Sequence, residues 1–260
     1  MKIKFLCINF WLGGYLMKPL LDFIRQENPH IILGQEVYDS NNDSHRKNFR
    51  TIGIIKKELS YDYIYFSPAF YIRSGKGKID DGNAIISKFP IISEQTVFFD
   101  GRYGPRIEGS ALDNLTERQI KEFQNTPRNI QRAEISINNF TINVFNTQGV
   151  WGLDGKDNEK RLKMSRIITE EIKKKENIIL AGDFNVNPDT KSIKNIENYL
   201  INVFKGKLNS TFNMKRKTHP KFNNAVVDMV FVSKNIKVID SYCPQVDVSD
   251  HLPLVFILEI

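Results

Sequence analysis

The chain has 260 residues, 41% hydrophobic and 26% charged, with a net charge of +7. That is the composition of a globular protein with a sizeable core. Two cysteines, Cys7 and Cys243, exclude a disulfide framework and any zinc-type spacing, and fit a reducing compartment. No apolar run is long enough for a signal peptide or a transmembrane helix, so a cytoplasmic protein without a membrane span is expected. One domain over 1–260 is expected, with a long loop insertion at about 100–128.

In chain order, Ile3 to Phe10 reads as a strand, and Tyr15 to Gln26 as a helix with an apolar stripe at Leu16, Leu20, Leu21, Phe23 and Ile24. Asn28-Pro29 stops that helix. Ile31 to Gly34 is a short buried strand running into Gln35-Glu36. Ser44 to Leu59 reads as a second amphipathic helix, Tyr61 to Ser67 as a strand, and Tyr71 to Gly82 as a loop of Gly, Lys and Asp. Strands follow at Asn83 to Ser87 and Ile91 to Phe99. From Asp100 to Arg128 the glycines and prolines mark irregular structure, with a short helix expected at Thr116 to Gln124, capped by Asn114 or Thr116. So long an irregular segment is usually functional or mobile.

Ile130 to Ile137 and Thr141 to Asn146 read as a hairpin around Asn138-Asn139. Asn158 to Lys175 is the strongest helix, apolar at Leu162, Ile167, Ile168 and Ile172. Asn177 to Ala181 is a strand and Thr190 to Leu200 a helix. Ala225 to Val232, Ile236 to Tyr242 and Leu254 to Ile260 are strands. Consecutive strands among the alternating elements point to mixed sheets covered by helices.

Polar residues gather at the ends of these strands. Asn9 ends the first and Glu36 the second; Asn146 and Gln148 follow the Thr141 strand; Asp183 and Asn185 follow the Asn177 strand; Asp250 and His251 precede the last. Each could be a turn former. Asp228 is different, because it lies inside the apolar run Val226 to Phe231. A buried carboxylate is costly unless paired, and His251 is the natural partner, its tautomer fixed and its basicity raised by the pairing. Carboxylates, carboxamides and an imidazole at strand ends are the equipment of metal-assisted phosphoester hydrolysis.

Six stretches carry a resemblance: Leu6-Cys7-Ile8-Asn9, Ile32-Leu33-Gly34-Gln35-Glu36-Val37, Gly82-Asn83-Ala84-Ile85-Ile86-Ser87, Leu180-Ala181-Gly182-Asp183-Phe184-Asn185, Val227 to Ser233, and Val248-Ser249-Asp250-His251-Leu252-Pro253. In this order they resemble the endonuclease/exonuclease/phosphatase superfamily, the deoxyribonuclease I-like proteins, in a bacterial branch. The resemblance implies an α/β fold, a four-layer sandwich of two mixed β-sheets face to face flanked by helices. It implies Glu36 as principal Mg²⁺ ligand, with Mn²⁺ able to substitute, supported by Asn9 and Asp250. It implies that Asp183 and Asn185 orient the attacking water and contact the phosphate. It also implies that Asp228 orients His251 toward the scissile group.

One departure stands out. Many relatives carry an Asn-Thr-His string where this chain has Asn146-Thr147-Gln148. Glutamine donates a hydrogen bond but cannot carry a proton, and general acid–base help is typically worth about 10²–10⁴ in rate. The following Gly149 to Gly152, with Lys156, Asp157 and Arg161, resembles the branch in which a charged helix comes next. Trp151 and Asn146 are expected at the substrate, with Lys215 and Arg216 from the basic run ahead of His219 and Lys221. The expected function is a metal-dependent phosphodiesterase or nuclease acting on nucleic acid, working as a monomer. Two alternatives stay open: a phosphatase or lipid/inositol-phosphate phosphoesterase, and a weakened binding module. Arg102, Arg106 and Arg128 would add to a polyanion surface if they face the site.

Overall fold

A computed structural model describes residues 1–106, 117 and 123–260 of the chain. Its strands, numbered along the chain, form two six-stranded mixed sheets. The first runs β11 (Lys237–Tyr242), β12 (Leu254–Glu259), β1 (Lys2–Asn9), β2 (Ile31–Asp39), β4 (Gly77–Ser87), β3 (Tyr63–Ser74). The second runs β5 (Ile91–Asp100), β6 (Arg128–Ile137), β7 (Phe140–Gln148), β8 (Ile178–Asp183), β10 (Asp228–Val232), β9 (Ile201–Asn202).

Strand periodicity explains the layering. In β1, Ile3, Phe5 and Cys7 point into the space between the sheets, where they join Ile135, Val144, Ile179 and Val230 of the second sheet. The alternate residues Leu6 and Ile8 point outward, under helices α1 (Met17–Glu27) and α2 (Thr51–Glu58). On the far side Phe145, Leu180 and Phe231 lie under α3 (Glu159–Ile172) and α4 (Lys191–Glu197). Both faces of the central strands are thus buried, which is why they read as nearly unbroken apolar runs. The result is the expected four-layer α/β sandwich. No described helix is long and apolar enough to cross a membrane.

Several elements differ from expectation. The stretch Tyr71 to Gly82 is not a loop. β3 and β4 run through it as a hairpin, with Arg73 opposite Lys78 and Ser74 opposite Gly77. Lysines and aspartates line this arm, and the Lys78 ammonium lies 5.5 Å from the Tyr71 ring centroid and 5.2 Å from that of Tyr103. Only Thr51–Glu58 of the expected second helix is helical, preceded by a 3₁₀ turn at Lys47–Phe49. The stripe of α3 is rotated from the expected one: Met164, Ile168 and Ile172 are buried together with polar Arg161, Ser165 and Thr169, and Asn158 caps the first turn. Within the long segment, Tyr71 pairs with Pro105. The helix expected at Thr116 to Gln124 lies for the most part outside the described residues.

β1 with β2, and β7 with β8, pair in parallel; in register, Asn9 faces Gln35 and Gln148 faces Asp183. Asp228, at the start of antiparallel β10, faces Asp183 directly. This topology brings the ends of β1, β7 and β8, a register slip within β2 and the start of β10 to one end of the sandwich.

Candidate active site

Glu36 reaches the site through a local irregularity. The β2–β4 register slips between Gly34 and Val37, and Glu36 has φ +51°. A bulge of this kind re-aims a side chain, and a non-glycine residue at positive φ is strain of the type that clusters at functional sites. Three donors hold the carboxylate. Asn9 Nδ2 and Gln148 Nε2 donate to Oε1 at 3.1 and 2.9 Å, and the Leu12 amide donates to Oε2 at 3.1 Å. Burial opposes ionisation of Glu36, but the Leu12 and Asn9 bonds and the charges of His251 and Arg128 outweigh it and hold the carboxyl below its usual range.

The Leu12 amide is aimed by an unusual turn. Trp11, Leu12, Gly13 and Gly14 all have positive φ (53°, 52°, 71° and 86°), a single left-handed turn closed by a bond from the Tyr15 amide to the Trp11 carbonyl. Left-handed backbone costs about 1–2 kcal/mol per residue with a Cβ. Gly13 is required here, because a Cβ would sit 2.0 Å from the Asn48 carbonyl oxygen.

Asp183 faces the same space from the second sheet. Its Oδ1 accepts from the Asn185 amide at 2.9 Å; its Oδ2 accepts from Asn185 Nδ2 at 3.2 Å and from Asn9 Nδ2 at 3.4 Å. Asn185, like Glu36, has positive φ (56°). Burial, followed by the charges of Asp228 and Glu36 against the opposing charge of His251, pushes the Asp183 carboxyl up to about 7. Asp228 Oδ2 lies 2.8 Å from His251 Nδ1. Burial opposes the imidazolium, yet Asp228, with Asp250 and Asp183, raises the His251 pKa to about 10. The pairing with Asp228 therefore favours the imidazolium, with Nδ1 donating to Asp228 and Nε2 left for an anion. The Phe212 ring covers it at 4.6 Å, and Thr211 Oγ1 accepts from the Asp228 amide.

Asn9, Glu36, Gln148, Asp183, Asn185, Asp228 and His251 thus converge. Gln148 is bound at both ends: Arg128 donates to its Oε1 at 2.7 Å while its own amide holds Glu36. Other expectations need correcting. Asn146 does not face a substrate; it is fully buried, accepting from Gln35 and donating to Gly34, Ala84 and Gln131, a polar staple between the sheets. Asn9 turns its NH₂ toward the carboxylates and its oxygen to the Trp11 amide, so it positions Glu36 and does not offer an oxygen ligand. Asp250 is committed to an ion pair with Lys217 at 2.9 Å. Arg216 is clamped by Asp247 through two bonds of 2.7 Å, and Lys215 is exposed; Lys217 is the member of that run that reaches the site. Trp151 is half-buried, its ring 5.5 Å from that of Phe123.

Reasoning from sequence missed three supports. Ser249 Oγ donates to the Asn9 carbonyl and accepts from the His251 amide, tying β1 to the His251 loop. Arg128 is buried behind Gln148 rather than placed on a loop surface. Arg161, fully buried, donates to the carbonyls of Val150, Lys156 and Asn185, fixing both loops that flank Asp183. The available signal for Arg161 was its spacing, seven and eleven residues ahead of Ile168 and Ile172 and so on their buried face.

The donor set bears on which cation fits. Among the described residues no group of three or more His, Cys, Asp or Glu side chains is arranged to hold a metal. Glu36 is half-buried, and three hydrogen bonds leave its carboxylate about one of its four lone-pair sites. One ionised carboxylate open to solvent suits Mg²⁺, which keeps most of its waters, and does not suit a closed thiolate or imidazole site.

The model of the Endonuclease/Exonuclease/phosphatase family matches residues 12–251. The chain belongs to this family. Its members are hydrolases of phosphoesters that generally use divalent metals. Among solved structures, the family protein from Bacteroides vulgatus is similar over 100% of this chain and 99% of its own, at 15% identity and TM-score 0.72. The mannosyl-6-phosphatase of Bacteroides thetaiotaomicron VPI-5482 is similar over 99% and 100%, at 17% identity and TM-score 0.67. D. rerio TDP2, solved with single strand DNA product, is similar over 100% and 99%, at 15% identity and TM-score 0.68. No curated protein sequence matches significantly.

Proposed function

We propose that the chain is a Mg²⁺-dependent phosphodiesterase acting on nucleic acid. The observation that carries this reading is the convergence of Glu36, Asp183 with Asn185, and the Asp228–His251 pair at one end of the sandwich. Glu36 would hold Mg²⁺, or Mn²⁺ in its place, and the bound cation would supply a Lewis acid for charge on the phosphate. Asn9, Gln148 and the Leu12 amide keep the Glu36 carboxylate ionised and pointed. Asp183, with its pKa near 7, is matched to accept a proton from an attacking water at neutral pH, and Asn185 holds that carboxyl in place through both of its oxygens. The His251 imidazolium offers Nε2–H to the charge developing on the phosphate oxygens. The net charge of +7 supports a polyanionic substrate.

Purified protein with Mg²⁺ or Mn²⁺ is expected to hydrolyse at least one member of a panel of oligonucleotides, nucleotides, sugar phosphates and phosphoinositides. Asp183→Ala should abolish that activity. No turnover on the whole panel, or full activity in the variant, would defeat the reading. A second reading rests on Gln148: with both ends of its amide engaged, no protonatable group stands at that position, and a phosphate-binding module without turnover would follow. Tight binding of a panel member without hydrolysis would select it.

A further inference from the structure

The left-handed turn beside Glu36 points its backbone amides inward, to Asn9 Oδ1 and Glu36 Oε2, and its side chains outward. Leu12 is 43% exposed and Tyr15 is 58% exposed. Trp11 is half-buried, its ring 4.8 Å from that of Tyr15 at an interplanar angle of 53°. At Leu12 both terms run against stability, since a residue with a Cβ is held at φ +52° and its apolar side chain is left in water. With the Trp11 and Tyr15 rings in contact beside it, the exposed Leu12 extends one continuous apolar ledge. The ledge does not end at Tyr15. Arg216 lies close enough to feel the Tyr15 oxygen, Lys215 stands exposed beside it in the chain, and Lys217 closes the run at Asp250, next to His251. An aromatic and aliphatic surface is therefore bordered on one side by the candidate carboxylate and on the other by the Asp247-paired Arg216 and the exposed Lys215.

We propose that Trp11, Leu12 and Tyr15 form a base-stacking subsite that selects single-stranded nucleic acid, one unpaired base lying on the ledge while its phosphate faces Glu36 and His251. This rests on the nucleic-acid reading above. Stacking on aromatic side chains tolerates any base because each has a π-face, whereas a base paired inside a duplex presents only its edge. A sugar phosphate or an inositol phosphate has no such face.

The chain has two tryptophans, so a Trp151→Phe protein reports Trp11 alone. Its fluorescence would be titrated with an oligothymidylate and with an abasic oligonucleotide of the same length, in Ca²⁺ to suppress turnover. The oligothymidylate is expected to quench Trp11 and to bind about 5- to 150-fold tighter than the abasic strand. Tyr15→Ala should erase most of that preference while leaving abasic binding and the melting temperature unchanged, because the amide that closes the turn on the Trp11 carbonyl is kept. Equal affinity for the two strands, or a preference that survives Tyr15→Ala, would overturn the subsite. So would a titration in which mannose 6-phosphate or anionic phospholipid vesicles quench Trp11 and the oligothymidylate does not. Because binding is read without turnover, a protein that hydrolyses substrate through Asp183 but shows no ledge preference refutes the subsite alone. A protein with the preference and no hydrolysis refutes only the catalytic reading.

Discussion

Replacing Asp228 with asparagine tests the electrostatic core of the site without any knowledge of the substrate. Both Asp228 and His251 are buried, at 2% and 6% exposure, so their interaction is weakly screened. The His251 pKa is displaced from 6.5 to about 10, a preference for the imidazolium of about 5 kcal/mol. A folded-state pKa above the unfolded value stabilises the fold fully below pH 6.5, and the contribution is lost as pH rises through about 10. At pH 7.5 about 2.5 pH units of that range remain, or about 3 kcal/mol. That is an upper figure for the cost of the substitution, because asparagine still accepts a hydrogen bond from Nδ1. The direct assay is NMR of the histidine Cε1–H resonances; the chain has four histidines, which single substitutions assign. In the wild type, His251 should not titrate between pH 5.5 and 9. In Asp228→Asn, burial acts against a weaker opposing field, and His251 should titrate several units lower. In parallel, urea denaturation should show the difference between the two proteins shrinking as the pH is raised toward 10. A wild-type His251 titrating near 6.5, or a variant as flat as the wild type, would refute the reasoning.

Asp81 is buried, with Oδ1 unpartnered, and burial together with the Glu36 charge raises its carboxyl to about 7; it therefore costs stability at about 1.4 kcal/mol per pH unit as pH rises from 3.8 to about 7. Asp81→Asn should remove that slope, and the gain measured by urea denaturation should be about 3 kcal/mol larger at pH 8 than at pH 5. Arg161→Met removes three charge-assisted bonds to carbonyls and should cost about 3–5 kcal/mol, read as a fall in the urea midpoint with unchanged m-value. Mg²⁺ should raise the melting temperature of the wild type by mass action. Glu36→Gln should abolish that rise and Asp250→Asn should retain it, since Asp250 is held by Lys217.

The parts of the site that could be read from the sequence are those in which chemistry conflicts with its surroundings. Asp228 in an apolar run demanded a partner, and the structure supplies His251. The central strands announced themselves because burial on two faces leaves no alternation to misjudge. What escaped notice depends on geometry with no local signature. A register slip at Glu36 leaves no mark on composition, so its role came only through resemblance. Asn146 and Gln148 are two residues apart on one strand, and both look like site residues. Only the placement of the first against Gln35 and Gln131 of neighbouring strands separates a staple in the core from a group at the mouth. In the run Lys215, Arg216 and Lys217, the cation that matters is decided by Asp247 capturing the middle one. The β3–β4 arm was misread because its lysines and glycines, which mark loops elsewhere, decorate a ribbon with few apolar neighbours.

The Asn9 to Asp183 contact spans 174 residues, and the Ser249 bond to Asn9 spans 240. Neither sheet owns the site: one contributes Asn9 and Glu36, the other Gln148, Asp183 and Asp228, and the His251 loop is drawn in only when β12 pairs alongside β1. On the ribosome, a chain that has emerged as far as β8 has the first two carboxylates of the constellation yet lacks Asp228, its partner His251 and the strand that pairs with β1. The proposed site is therefore completed only by residues near 250, and a chain truncated before Asp250 would lack both the His251 partner of Asp228 and the β12 strand that pairs with β1.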